Sequence, residues 1–512
     1  MKTASVLIRC LAVSVFVASG VRVLSQGIPL GQFEGHGDIG APTNAGSASY
    51  NAADQSYRLA GSGVNMWSTN DQFQFVWKKM NGDFIVRARV EFVGKGVEEH
   101  RKIGWMARAS LDADAPYVDA VEHGNGLTSL QYRRTTGGIS TQIVLSLTNA
   151  DVIQFERRGT NFIFSAARFG DTFTSTNLSD IALPTNLYVG MFICAHNPKV
   201  KEEAIFRNVR LIHPARPNFV PYRDFIGSVL EILDVASGKA EVIHTSADST
   251  HPFEAPNWTH DGRSLIYSMS GRAEGWGHLA RFDLDAKKET LINTGAANKN
   301  NNDHVLSFDG KMLGFSGAPT NQTGGSAVFV IPVGGGTPRQ VTTLSPSYLH
   351  GWSPDGKYLV FGGNRQGKFD VYRISVKGGA EERFTDAPGN NDGAEYAPDG
   401  KHIYFNSTRT GKMQLWRMTA DGKEQEQLTN DEFNNWFPHI SPDGKWIAFI
   451  SFPKDIVPTD HPYYKECYIR LMPVKGGQPK VIAYLYGGQG SMNVPSWSPD
   501  SKRLAFVSNT DM

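Results

Sequence analysis

The sequence predicts an all-β chain in two parts: an N-terminal, jelly-roll-like β-sandwich, then a six-bladed β-propeller with a split closing blade. The first observation behind this is a repeat. It reads WTHDG (Trp258 to Gly262), LSFDG (Leu306 to Gly310), WSPDG (Trp352 to Gly356), YAPDG (Tyr396 to Gly400), ISPDG (Ile440 to Gly444) and WSPDS (Trp497 to Ser501). The aspartates follow one another by 48, 46, 44, 44 and 57 residues. A period of about 40–50 residues means stacked units, none able to bury its apolar face alone. The second observation is strand-like alternation over 27–212, with no helical stretch of comparable strength. The third is a break. Residues 213–221 hold three prolines and no periodicity, so 213–227 reads as a semi-rigid linker.

Residues 1–25 read as a cleavable export signal. Lys2 and Arg9 give a basic start, 10–21 are apolar and small, and Val23-Leu24-Ser25 precede the expected cut. Without them the chain carries 48 basic and 50 acidic residues, since only Lys2, Arg9 and Arg22 are lost. That balance, with no basic run, argues against nucleic acid as a partner. No later segment is long and apolar enough to cross a membrane. A periplasmic or secreted protein is expected. Cys194 and Cys467 lie in different parts and read as two buried thiols.

In the N-terminal part the clearest strand is 84–92. Phe84, Val86, Ala88, Val90 and Phe92 share one face; Arg87, Arg89 and Glu91 share the other. Further strands fit 103–108, 129–134, 162–167, 187–195 and 204–212. In the C-terminal part, 228–512, each Asp-Gly turn is followed by an apolar strand and then a second hairpin, such as 370–376, Lys377-Gly378-Gly379 and 382–385. The last copy lacks its second hairpin. The missing one stands ahead of the first copy, at 229–235 and 241–245. The two segments are expected to complete one blade and remove the open edges.

The repeat resembles the WD40-like repeats of TolB-type propellers, of the form P-x-W-S-P-D-G-K-x-I-A-F. Pro256-Asn257-Trp258 and Pro495-Ser496-Trp497 match its lead-in. The resemblance implies a propeller fold and leaves function open, because such propellers serve as partner-binding proteins, peptidase gates and lyases. The N-terminal part is similar to concanavalin-A-like or laminin-G-like sandwiches, on Asp83 to Val90, Gly104 to Arg108 and Phe206 to Leu211. Oligogalacturonate lyases share the TolB-like propeller and bind manganese through histidines. Their ligand order is not reproduced here, so no metal ligand carries over.

Chemistry is expected where the innermost strands end, just before each turn. Titratable and aromatic groups gather there: Glu254; Asn302, Asp303 and His304; Tyr348 and His350; Asp392 and Glu395; Asn435, Trp436 and His439; Asn493. His304, His350 and His439 occupy equivalent ends in three blades. Together with Glu395 they are the catalytic candidates, and the three histidines are the candidate ligands of a divalent metal. Glu254, Asn302, Tyr348, Asp392, Trp436 and His461 are the ligand-binding candidates. His461 stands in an insertion, 453–465, that fills the longest repeat gap. Two readings stay open. One is an exported protein binding a saccharide or a cell-envelope protein. The other is a saccharide-processing lyase or hydrolase assisted by a metal. No G-x-S-x-G, H-E-x-x-H, P-loop or dinucleotide motif is present.

Overall fold

The computed structural model describes residues 30–220, 223–246, 251–270, 277–319 and 325–511. The expected export signal lies outside them. The described chain is all-β, and its only helical piece is the 3-10 turn Gln489–Ser491.

The N-terminal part forms two seven-stranded antiparallel sheets. One runs in the order Gly35–Ile39, Phe73–Asn81, Asn186–Cys194, Lys102–Arg108, Tyr117–His123, Leu127–Arg133, Thr141–Thr148. The other runs Thr174–Leu178, Asn161–Ala167, Val152–Arg158, Phe84–Val93, Glu202–Ile212, Ser56–Gly61, Ser47–Asn51. Their facing sides share one core, with Trp105, Ala107 and Leu130 from the first against Phe84, Val86 and Phe155 from the second. The alternation of Phe84–Val93 thus turns its apolar face inward, as its period of two requires. Its other face is buried at Ile85 and Arg87 and opens to solvent only towards Glu91. Arg87 is 5 % exposed and donates to Gln154 Oε1 at 3.0 Å. Neighbouring Arg210 pairs with Glu231 of the C-terminal part at 2.5 Å, both nearly buried.

In the C-terminal part every Asp-Gly turn joins an inner strand to its neighbour. The inner strands are Phe253–Trp258, Asn300–Leu306, Ser347–Trp352, Asn391–Tyr396 and Asn434–Ile440. Each begins a four-stranded meander. The first two meanders touch through the single pair Gly277–Asn300 and so count as one eight-stranded sheet. A three-stranded sheet completes the set: Arg503–Thr510 pairs antiparallel with Gly227–Asp234, which pairs with Lys239–Ser246. The N-terminal and C-terminal segments of this part are therefore bonded to each other. Its inner position is not a strand. Trp497 makes one bridge to Leu504, and Gln489–Ser491 precedes it as a turn. Pro495 has no N–H for a ladder, and Gly488 and Gly490 weaken extended pairing.

The turns repeat one chemistry. Ser353 Oγ donates to Asp355 Oδ1 at 2.6 Å, Asp355 Oδ1 accepts from Lys357 N, and Tyr358 N donates to Ser353 Oγ. Thr259, Ser307, Ser441 and Ser498 do the same for Asp261, Asp309, Asp443 and Asp500. Gly356 takes φ +68°, which a side chain resists.

Consecutive sheets share apolar clusters. Ile266 and Leu279 meet Leu306 and Leu313; Val305 and Val328 meet Trp352; Val371 meets Tyr396; Leu415 meets Ile440. Ile450 then meets Leu504, and Leu230 with Val507 meets Trp258, which returns to the first sheet. The tryptophans also bridge backbones: Trp352 Nε1 donates to Val305 O at 2.9 Å and Trp497 Nε1 to His439 O at 3.0 Å.

Candidate functional site

In a regular strand, residues three apart face opposite sides. The inner strands escape that rule because each carries a bulge. Asp392 pairs with Asn406 and Glu395 with Tyr404, three steps against two. Trp436 and His439 pair with Ile450 and Ala448 in the same way, and Glu254 and Asn257 with Ser268 and Ile266. The extra residue resets the alternation, so both members of each pair can serve one side. Ala255, Gly393 and Phe437 absorb the irregularity at φ +62°, +63° and +53°. A non-glycine there costs about 1 kcal/mol or more. In Ser347–Trp352 the unpaired residue is His350 itself.

The structure divides the sequence-predicted residues into two groups. In the first, polar atoms are already engaged. His439 Nδ1 lies 2.6 Å from Glu395 Oε2, and its Nε2 lies 3.1 Å from Met492 O. Glu395 Oε1 accepts from Ile440 N at 3.1 Å. These contacts tie three consecutive sheets together. His304 has its nitrogens on Asn302 O and Ile266 O, at 3.0 and 3.1 Å. Burial pulls its pKa down to about 4, so it is neutral at pH 7. The hydrogen bonds of His304 and His439 go to different groups, His304 to two backbone carbonyls and His439 to Glu395 and Met492 O, while Glu395 also acts electrostatically on His350. Among the described residues no three His, Cys, Asp or Glu side chains are placed to hold a metal ion. Two of the three candidate metal ligands, His304 and His439, have both ring nitrogens within hydrogen-bond distance of carboxylate or carbonyl oxygens. Tyr348 packs its ring 5.8 Å from Phe369. Asn302 bonds to Glu254.

In the second group, buried polar atoms are left over. His350 Nε2 lies 3.1 Å from Asp392 Oδ1, an ion-pair distance. His350 Nδ1, Trp436 Nε1 and Asn493 Oδ1 are buried with no hydrogen-bond partner, and His350 Nε2 and Asp392 Oδ1 have only each other. His461 reaches in from the insertion, with Nε2 3.8 Å from Asp392 Oδ2 and its ring 4.7 Å from that of Trp436. Asn493 Nδ2 donates to Asp303 Oδ1 at 3.0 Å and Asn301 Nδ2 to Asp303 Oδ2 at 2.9 Å. Gly362 leaves the space: a Cβ there would lie 2.1 Å from Asp392 Oδ1.

Burial opposes charge on His350, but Asp392, Asp303 and Glu395 outweigh it and raise its pKa. Burial likewise pushes Asp392 up, yet His350 and His461 hold it well below the carboxylate range. Asp303, facing Asp392 in a buried position, is raised chiefly by burial. The shifts of His350 and Asp392 both favour a charged pair. Asp303 and Asn493 stand among the groups expected at the strand ends but outside the named ligand-binding candidates. The signal was positional: Asn493 stands four residues before Trp497, as Asp392 does before Tyr396.

The TolB beta propeller domain model matches residues 347–459, which hold His350, Asp392, Trp436 and His439. The Agrobacterium fabrum "Uncharacterized protein Atu1656" is 41% identical over 282 residues, spanning 55% of this chain and 92% of its own. The chain belongs to the TolB-like β-propeller family. A structure solved as a candidate TolB of Agrobacterium tumefaciens is 40% identical, covers 56% of this chain and 99% of its own, and has a TM-score of 0.52. An oligogalacturonate lyase in complex with manganese is 14% identical over 45% of this chain and 65% of its own, with a TM-score of 0.33. That likeness is too slight to carry a site across. The TolB-like matches reach little more than half of the chain, so the N-terminal sheets are an addition to the part they share.

Proposed function

We propose that this is an exported binding protein that takes a polar, polyhydroxylated ligand, of saccharide type, at the mouth of a propeller channel. In this reading the five four-stranded meanders and the three-stranded sheet of 228–511, packed in a cycle, are six blades, and 27–212 is a β-sandwich docked on two of them. The linker expected over 213–227 is then the connection between two domains. No helix among the described residues is long and apolar enough to cross a membrane.

The observation that carries the reading is the set of orphaned atoms on His350, Asp392, Trp436 and Asn493. Each buried polar atom without a partner costs about 1–3 kcal/mol. Three of these residues stand on three inner strands, His350 beside Asp392 and Trp436 joined to them through His461, and Asn493 joins them through Asp303, which favours an occupant that satisfies them. His350 and Trp436 offer donors; Asp392 and Asn493 offer acceptors. Hydroxyl groups both give and accept, so a polyol meets both halves of the set. A bare cation or anion meets only one.

A glycan-array screen of the purified full chain, followed by calorimetry on the best binder, tests this. His350→Ala and Asp392→Asn are expected to weaken binding at least tenfold while the fold persists. Unchanged affinity in both would overturn the reading. A second reading, saccharide processing, is favoured by one feature: an imidazole 3.1 Å from a carboxylate can move a proton. Product analysis in the same samples decides it, since His350→Ala would then abolish turnover.

A further inference from the structure

The insertion that supplies His461 also supplies Tyr463 and Tyr464, which the channel reading does not use. They line a separate small cavity, open to solvent, with Phe225, Phe253, Glu254 and Ser491. Glu254 is the only charged side chain among the described residues that line it. The other polar groups are occupied. Ser228 Oγ accepts from Phe253 N, Ser491 Oγ accepts from Gly488 N, and Asn509 donates to Gly227 O. Two glycines shape the wall. A Cβ on Gly490 would lie 1.6 Å from Glu254 Oε2, and one on Gly488 would lie 2.4 Å from Pro462 O. The carboxyl group is therefore lodged against bare backbone, with aromatic side chains around it.

We propose that this cavity binds a primary ammonium group, with Glu254 as its counter-ion and the aromatic side chains as its walls. A carboxylate supplies the charge and the acceptor. Aromatic faces add attraction for a cation of about 0.5–2 kcal/mol. No basic side chain of the described residues lines the cavity to compete. Burial lifts Glu254 to about 7; the bond from Asn302 lowers it and the charge of Asp303 raises it. Tyr463 and Tyr464 are the remaining titratable groups at its walls. At neutral pH, ammonium binding therefore completes the ionisation of Glu254 and releases a proton. The inference stands apart from the channel reading, because none of the four residues with orphaned atoms lines this cavity.

The test is thermal unfolding of the full chain in methylammonium chloride, against matched sodium chloride and tetramethylammonium chloride. The expected result is a rise in Tm with methylammonium alone, larger at pH 8 than at pH 6, absent in Glu254→Gln and retained in His350→Ala. Equal shifts with tetramethylammonium or sodium, or an undiminished shift in Glu254→Gln, would overturn the proposal. Should Glu254→Gln fail to fold, wild-type crystals soaked in methylammonium decide it. Nitrogen within hydrogen-bond distance of the Glu254 carboxylate supports the site, and bulk solvent there overturns it. Loss of the shift in His350→Ala would assign the effect to the channel and likewise overturn a separate cavity.

Discussion

Trp436 is 2 % exposed, yet its indole N–H finds no partner. An ordinary core would fill that position with phenylalanine. Trp436→Phe removes the orphaned donor while keeping most of the ring. In ligand-free protein it is expected to leave stability unchanged or raise it by about 1 kcal/mol. The same change should weaken ligand binding. Denaturant melts beside calorimetry measure both, and a loss of more than about 2 kcal/mol would show that the indole is structural. The charged pair gives a second expectation. Asp392 is depressed below its ordinary 3.8, so its contribution is present above that value and is lost as pH falls through the folded pKa. His350 is raised above its ordinary 6.5, so its contribution is present below that value and is lost as pH rises through the folded pKa. The pair therefore stabilises most fully between about pH 3.8 and 6.5. The stability gap between wild type and Asp392→Asn, read from melts across pH, should be widest there and narrow at higher pH.

The inner strands are the elements that make the site. Their polar content was legible in the sequence: Asp392, Trp436 and His350 stand within seven residues of their turn aspartates Asp399, Asp443 and Asp355. Their direction was not. A bulge adds one residue and reverses parity, and nothing in alternation marks where it falls. Gly393 is a usable hint, but Ala255 and Phe437 adopt positive φ without one. The same blindness explains the histidines. Only the register shows that His350 is the unpaired bulge residue and that His304 is spent on carbonyls. Gly362 offers the corresponding test. Gly362→Ala sets a methyl 2.1 Å from Asp392 Oδ1 and must displace that carboxylate. Binding should fall at least tenfold, with the far-ultraviolet circular dichroism of a folded all-β chain retained. A smaller effect would mean that Asp392 is not held where ligand needs it.

For the whole molecule, the repeat period made the C-terminal strand order readable, including the pairing of its two ends, because the turn recurs six times and five of the six copies share one Ser/Thr-to-Asp hydrogen bond. The contact between the two parts was hidden. Arg87, Gln154 and Arg210 look like a solvated strand face, and sequence cannot say what covers it. In the structure Arg210 is buried on Glu231, and Tyr484 OH donates to Asp171 O at 2.7 Å across the same contact. Removing one partner of a buried pair costs about 3–5 kcal/mol. Arg210→Ala should therefore lower stability by that order and separate the unfolding of the two parts in calorimetry. A single unshifted transition would argue against a tight contact.

The central claim is that the orphaned atoms of His350, Asp392, Trp436 and Asn493 await one occupant. A crystal structure of the full chain, sharp enough to show solvent, grown with and without the best glycan of the array, tests it most directly. The account predicts oxygen atoms about 2.7–3.2 Å from Trp436 Nε1, a His350 nitrogen, Asp392 Oδ1 and Asn493 Oδ1: ordered water when free, sugar hydroxyls when bound. Side chains turned to pair directly with one another, leaving no room between them, would contradict it.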